Sequence, residues 1–151
     1  MPDSKDMIDI GDKDITVRTA KASGSILLGE EAFQTVKQGA SVKGDVLATA
    51  KVAAITAVKS TPAIIPMCHT ILIEAVSVDF TLNEQGKSVT VSVTVKSSGK
   101  TGVEMEALVG VSVACLTIYD MLKYKGKDMV ITETMLLEKT GGKSGSYKRQ
   151  D

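Results

Sequence analysis

The stretch GKTGVEMEALVG, residues 99–110, sets Lys100 and two carboxylates, Glu104 and Glu106, where a glycine-rich turn becomes an apolar helix. Acids in a first helical turn complement the positive end of the helix dipole. Two residues apart they cannot share a helical face, so a paired-carboxylate dyad requires backbone that is not yet helical. Further on, YDMLK places Asp120 and Lys123 one turn apart. Such a pair can serve as an acid/base couple with opposed pKa perturbations, or be a surface ion pair at a helix end. Leu116 and Val113 precede Asp120 at helical spacing, which predicts a carboxylate in phase with the buried stripe and therefore desolvated, paired or both.

Other positions could handle an anion. Lys43 in KGDV stands just before a helix start, where a cation adds its charge to free backbone N–H groups; on an open surface it would serve solubility alone. His69, beside Cys68 and after Pro66, is suited to donating to phosphate or shuttling a proton, or is simply a solvated loop histidine. Arg18, Lys139 and Lys143 could complete a basic pocket if the fold brings them together. SGKTG and GGKSG each suggest a phosphate-binding loop, but Thr94 and Leu137 occupy the places of the first glycine, which excludes a nucleotide-hydrolysing P-loop. The glycines still allow backbone amides to approach an anion, and a plain connecting turn is the alternative.

The elements that must position these groups belong to one domain, 1–151. At 151 residues one core is expected, burying about 70% of the unfolded surface. Lys plus Arg and Asp plus Glu balance at 18 each, so no bulk field attracts nucleic acid or an anionic membrane, and neither is expected as a partner. No apolar run is expected to reach the length of a membrane span, and the start MPDSKDMIDIGDKD lacks a signal-peptide core; a soluble, cytoplasmic protein is the expectation. Two single cysteines and one histidine do not make a closed metal site, so no metal ligands are assigned.

ITVRTAKASGSILLG opens as a strand. EEAFQTVKQGA has helical spacing at Ala32, Phe33 and Val36, and DVLATAKVAAITAVKS is a helix with Asp45 as N-cap. TPAIIPMCHT, with two prolines, reads as a loop. ILIEAVSVDFTL and SVTVSVTVKSS alternate around NEQGK as a long hairpin with one covered face. A helix follows from about Val103 to Tyr124, apolar or small nearly all round, which predicts cover on more than one side and a subunit interface. DMVITETMLLEK is a last strand. Mobile ends are expected over 1–8 and 144–151. This order predicts an α+β, ferredoxin-like βαββαβ domain, an antiparallel sheet with helices on one face.

In order, KGDVLATAKVA, IPMCHT, GKTGVEMEAL, LTIYDMLK, KDMVI and LLEKTGGKSG resemble the cyclic pyranopterin monophosphate synthase family of molybdenum cofactor biosynthesis, over about Met7 to Tyr147. The resemblance implies a homohexamer, a trimer of dimers with sites between subunits. It implies a lyase that converts 3′,8-cyclo-7,8-dihydro-GTP to cyclic pyranopterin monophosphate and releases pyrophosphate. Asp120, Lys123 and Lys43 then look catalytic. Met67, Cys68, His69, Glu104, Met105, Glu106, Arg18 and Lys139 look like substrate contacts. No cofactor is implied, although a divalent cation accompanying the triphosphate is chemically reasonable. Thr70 stands where the family commonly has proline, and Ser41–Val42 precede Lys43 where a histidine is often found.

Overall fold

A computed structural model describes residues 6–150; positions 1–5 and 151, part of the ends expected to be mobile, lie outside the described residues. Alternation makes the first strand, β1 (Thr16–Leu27), with Arg18, Ala20, Ala22 and Ile26 buried on one side. Helix α1 (Glu30–Lys37) buries Ala32, Phe33 and Val36, as their spacing predicts. Helix α2 (Val46–Ile64) starts at the Asp45 cap, whose side chain accepts from the Ala48 N–H at 3.0 Å. It runs past the expected break, through Pro62. A proline in the last turn removes only one donor, and the Ile65 N–H still reaches the Thr61 carbonyl at 2.9 Å.

The hairpin is β2 (Ile73–Asn83) and β3 (Ser88–Gly99). Asn83 closes its turn by accepting from the Gly86 N–H at 3.0 Å. Helix α3 (Glu104–Leu122) follows and tightens into a 3-10 turn, Lys123–Lys125. Strand β4 (Val130–Thr140) pairs with β1, and a two-residue strand, β5 (Tyr147–Lys148), pairs with β4. The sheet order is β2-β3-β1-β4-β5, every neighbouring pair antiparallel. Four strands in the order β2-β3-β1-β4, with α2 and α3 as crossovers, form the ferredoxin-like arrangement; α1 and β5 are additions to it.

The core lies between sheet and helices. Val89, Val91, Val93 and Val95 of β3 are fully buried, facing α2 and α3 along a seam of Ala50, Ala54, Ala107 and Ala114. Two glycines allow the close approach. A Cβ on Gly110 would lie 2.9 Å from Val58 Cγ2, and one on Gly24 would lie 2.6 Å from Val111 Cγ1. Overpacking of this kind costs about 1–3 kcal/mol, so Gly110 is required by the distance between α3 and α2 and Gly24 by that between β1 and α3.

The stretch Glu104–Lys125 is by length and composition apolar enough to cross a membrane, a property the sequence reading assigned to no run. In the fold it is the central core helix, packed on α2, β1, β3 and β4. Its buried side is Ala107, Gly110, Val111, Ala114, Cys115, Ile118 and Leu122. Asp120 is not on that side. Its apolar neighbour Leu116 is itself 58% exposed, so Asp120 continues an outward stripe that begins at Met105. Spacing identified an apolar stripe but could not tell the inward one from the outward.

Strand direction sorts the loops into two groups. At one end lie the starts of β1 and β2, the ends of β3 and β4, the C-terminus of α2 and the N-terminus of α3. At the opposite end lie the α1–α2 loop and the C-terminus of α3.

Candidate active site

At the α3 N-terminal end, a cavity of about 590 Å³ is lined by Met67, Cys68 and His69 from the loop after α2 and by Glu104, Met105 and Glu106 from the first turn of α3. All six are among the expected substrate contacts. Asp9 and Lys13 of the N-terminal segment also line it, beside the apolar Ile8, Ile10 and Ile65, and sequence reasoning had not singled them out. Hydrogen bonds from His69 and Lys100 help hold the segment. His69 Nε2 lies 2.6 Å from the Ile8 carbonyl, and Lys100 Nζ donates to the Gly11 carbonyl at 2.9 Å. A carbonyl only accepts, so His69 carries its proton on Nε2 in this arrangement.

Glu106 is the most unusual group in the cavity. It is only 1% exposed, its Oε2 accepts from Cys68 Sγ at 3.5 Å, and its buried Oε1 has no partner. Burial pushes its pKa above the usual carboxylate value, helped by the charge of Glu104 and opposed by a backbone hydrogen bond and the Cys68 thiol. Burial also pushes the Cys68 thiol up to about 11, with Glu106 adding to the effect by charge and hydrogen bond. Cys68 is therefore a donor at neutral pH and not a nucleophilic thiolate. An unpaired buried acceptor on a residue that lines a cavity is suited to a ligand N–H.

The folded chain holds the Glu106 proton to higher pH than the unfolded chain, so its contribution to stability is complete below the ordinary glutamate pKa and is lost as pH rises through the elevated one. Without ligand, Glu106→Gln will be stabilised relative to the unaltered chain as pH rises across that window, and the gap will close in acid. Thermal unfolding of both chains at a series of pH values measures it; a gap independent of pH contradicts the assignment.

Arg18 enters from β1 at the same end. It is 5% exposed, and its Nε donates to the Gly99 carbonyl at 2.9 Å. Its guanidinium packs against Gly142, where a Cβ would collide with it. With Lys13 and Lys143 it lines a second cavity of about 170 Å³. Lys139 stands in β4 opposite Ala20, half-buried, and lines neither cavity. The SGKTG turn is not open to an anion along its whole length, because the Glu104 carboxylate folds back against Gly102.

The three expected catalytic residues meet at the other end. Lys123 Nζ pairs with Asp120 Oδ1 at 2.9 Å, and Lys43 Nζ donates to the Asp120 carbonyl at 3.0 Å. The hydrogen bond and charge of Lys123, then the charge of Lys43, hold the Asp120 carboxyl below its ordinary pKa. Asp120 is thus an exposed, ionised group flanked by two ammonium groups. In a single chain it is paired but not desolvated. Ser41 and Tyr124 also stand here, and no spacing signal had marked either one.

The candidate residues therefore form two groups, and one chain does not join them. From Glu104 to Asp120 the separation along α3 is about 24 Å at about 1.5 Å per residue. The first group offers acids and a buried acceptor, which suits a heterocycle with N–H donors. The second offers paired cations and a carboxylate, which suits phosphate and proton transfer. Among the described residues, no group of three or more His, Cys, Asp or Glu side chains could hold a metal ion.

Known proteins resemble the chain over nearly its whole length. The cyclic pyranopterin monophosphate synthase of Thermoanaerobacter sp. (strain X514) is 50% identical over 144 residues, 95% of this chain and 91% of the relative. That of Helicobacter hepaticus is 51% identical over 145 residues, 96% of this chain and 91% of the relative. That of Bacillus mycoides is 52% identical over 145 residues, 95% and 90% of the two chains. The MoaC family model matches residues 7–142, which takes in every residue expected to be catalytic or to contact substrate, and the chain belongs to the MoaC family.

Proposed function

We propose that the chain has cyclic pyranopterin monophosphate synthase activity: it converts 3′,8-cyclo-7,8-dihydro-GTP to cyclic pyranopterin monophosphate and releases pyrophosphate, as a cytoplasmic step of molybdenum cofactor biosynthesis. The observation that carries the reading is the meeting of Lys43, Asp120 and Lys123 in a chain about half identical to named synthases over nearly its whole length. Forming the cyclic monophosphate needs a sugar hydroxyl to lose its proton and bond to the α-phosphorus, while the bond to the departing pyrophosphate breaks. A base and fixed cations are what this step requires.

In this reading Lys123 exchanges protons during the rearrangement, and Asp120 holds it in place. Lys43, with Arg18, His69 and Lys139, carries the polyphosphate charge. Glu106 and Glu104, with Met67, Cys68 and Met105, receive the base, whose amino and ring N–H groups donate to the unpaired Glu106 Oε1. No resident cofactor is part of the proposal, and a divalent cation would arrive on the triphosphate. The two groups unite only if a second copy supplies one of them. The outward stripe of α3, from Met105 through Leu116 to Asp120, gives that copy an apolar surface to cover, consistent with a hexamer built as a trimer of dimers.

Incubating the purified chain with the cyclised nucleotide will yield pyrophosphate and cyclic pyranopterin monophosphate in equal amounts. Folded, assembled protein that binds the substrate and releases neither product would overturn the reading.

A further inference from the structure

The loop that carries Lys43 has little to hold it. Gly39 (φ 64°) and Gly44 (φ 106°) bracket it in left-handed backbone, and Val42 is 82% exposed, so apolar burial does not anchor the turn. Its hydrogen bonds to the C-terminal end of α3 are three. Lys43 Nζ reaches the Asp120 carbonyl at 3.0 Å, the Val42 N–H donates to Tyr124 Oη at 3.0 Å, and the Tyr124 hydroxyl donates to Ser41 Oγ at 3.4 Å. The first depends on a flexible lysine chain. The other two end on one rigid phenol. Ser41 Oγ also accepts from the Lys43 N–H at 3.2 Å, which carries the restraint into the backbone of Lys43 itself.

We infer that Tyr124 is a positioning residue for Lys43: its phenol clamps the Ser41–Gly44 turn to the 3-10 turn that bears Lys123, so that the two ammonium groups face a substrate as one unit. The inference rests on the proposed roles of Lys43 and Lys123. Tyr124 directly follows Lys123, so a shift of the 3-10 turn moves both lysines together. An ammonium on a four-carbon stem has many rotamers, and fixing its backbone reduces the orientations it must lose in the transition state. The hydrogen bonds with Ser41 and Val42, then the charges of Lys125 and Lys43, draw the phenol pKa below its ordinary value.

The test compares pyrophosphate release from the cyclised nucleotide by the unaltered chain, Tyr124→Phe, Lys43→Ala and the double variant. Tyr119→Phe is the control: its hydroxyl donates to the Lys127 carbonyl at 2.7 Å, away from the lysine loop. Tyr124→Phe is expected to lower kcat about three- to tenfold, the range of one or two exposed hydrogen bonds, with KM little changed. The Val42 amide will exchange faster, while the Ala48 amide under the Asp45 cap will not. In the Lys43→Ala background the phenylalanine will cost nothing more, and Tyr119→Phe will leave kcat unchanged. Full additivity of Tyr124→Phe with Lys43→Ala, or unaltered Val42 exchange, overturns the clamp. So does a loss with Tyr124→Phe as large as that of Lys43→Ala together with removal of a limb of the pH–rate profile, which would make Tyr124 a proton donor. If the unaltered chain releases no pyrophosphate, the functional reading fails, and Val42 exchange still reports on the clamp.

Discussion

Lys123→Ala is expected to fold, assemble and bind the cyclised nucleotide, yet form product at least about a hundredfold more slowly, the usual cost of losing a general acid or base. Stability should hardly change. The Lys123 side chain is 48% exposed and its partner Asp120 is 64% exposed, and exposed pairs of this kind add at most about 1 kcal/mol. Lys123→Arg sharpens the expectation. Arginine retains the charge and can still pair with Asp120, but it does not deprotonate in proteins. If Lys123 moves protons, arginine will be nearly as slow as alanine; if it only neutralises phosphate, arginine will restore most of the rate. Single-turnover product formation with substrate in excess of its Kd separates these outcomes from a binding defect. In Lys123→Ala the Asp120 carboxyl loses the larger of its two ammonium neighbours, so its pKa will rise toward the ordinary value, which NMR titration of its carboxyl carbon can follow.

The residues that gave the fold away were those whose periodicity reports one face. β3 alternates Val89, Val91, Val93 and Val95 inward with Thr90, Ser92 and Thr94 between them, and Asp45 caps α2 as its place before an apolar run suggests. Local pattern failed where position within an element or a long-range partner decided the outcome. Pro62 did not end α2, because the helix had only its last turn left to form. Asp120 has apolar neighbours at the right steps, but the face they mark points outward, since α2 and the sheet already cover the other side of α3. The meeting of Lys43 with Asp120 spans 77 positions and depends on where one loop lands, which no spacing rule reports. The N-terminal segment is similar: its hold on His69 is a backbone carbonyl, and the identity of Ile8 is irrelevant to it. The motif resemblance named Lys43, Asp120 and His69 as expected site residues and implied sites between subunits; which of them one chain brings together is legible only in the fold.

That division predicts complementation between two inactive chains. Glu106→Gln removes the buried acceptor at one end of α3, and Lys123→Ala removes the proton-transfer group at the other, so each variant alone should have little activity. If a site takes its base-binding group from one copy and its lysines from another, dissociating and reassembling the two together in equal amounts makes some sites with both parts intact. Random assortment gives about a quarter of the sites an unaltered Glu106 from one copy and an unaltered Lys123 from its neighbour. Activity should therefore return to about a quarter of the unaltered level, after correction for any residual rate of Glu106→Gln. A site contained within one chain permits no such recovery, because every chain in the mixture carries one defect. Mixing without dissociation supplies the control, since intact assemblies of either variant have no complete site to form. Recovery after reassembly, and none before it, locates the reaction between copies; no recovery in mixed assemblies verified by mass spectrometry would place both groups in one chain and require a large rearrangement of α3 to bring them together.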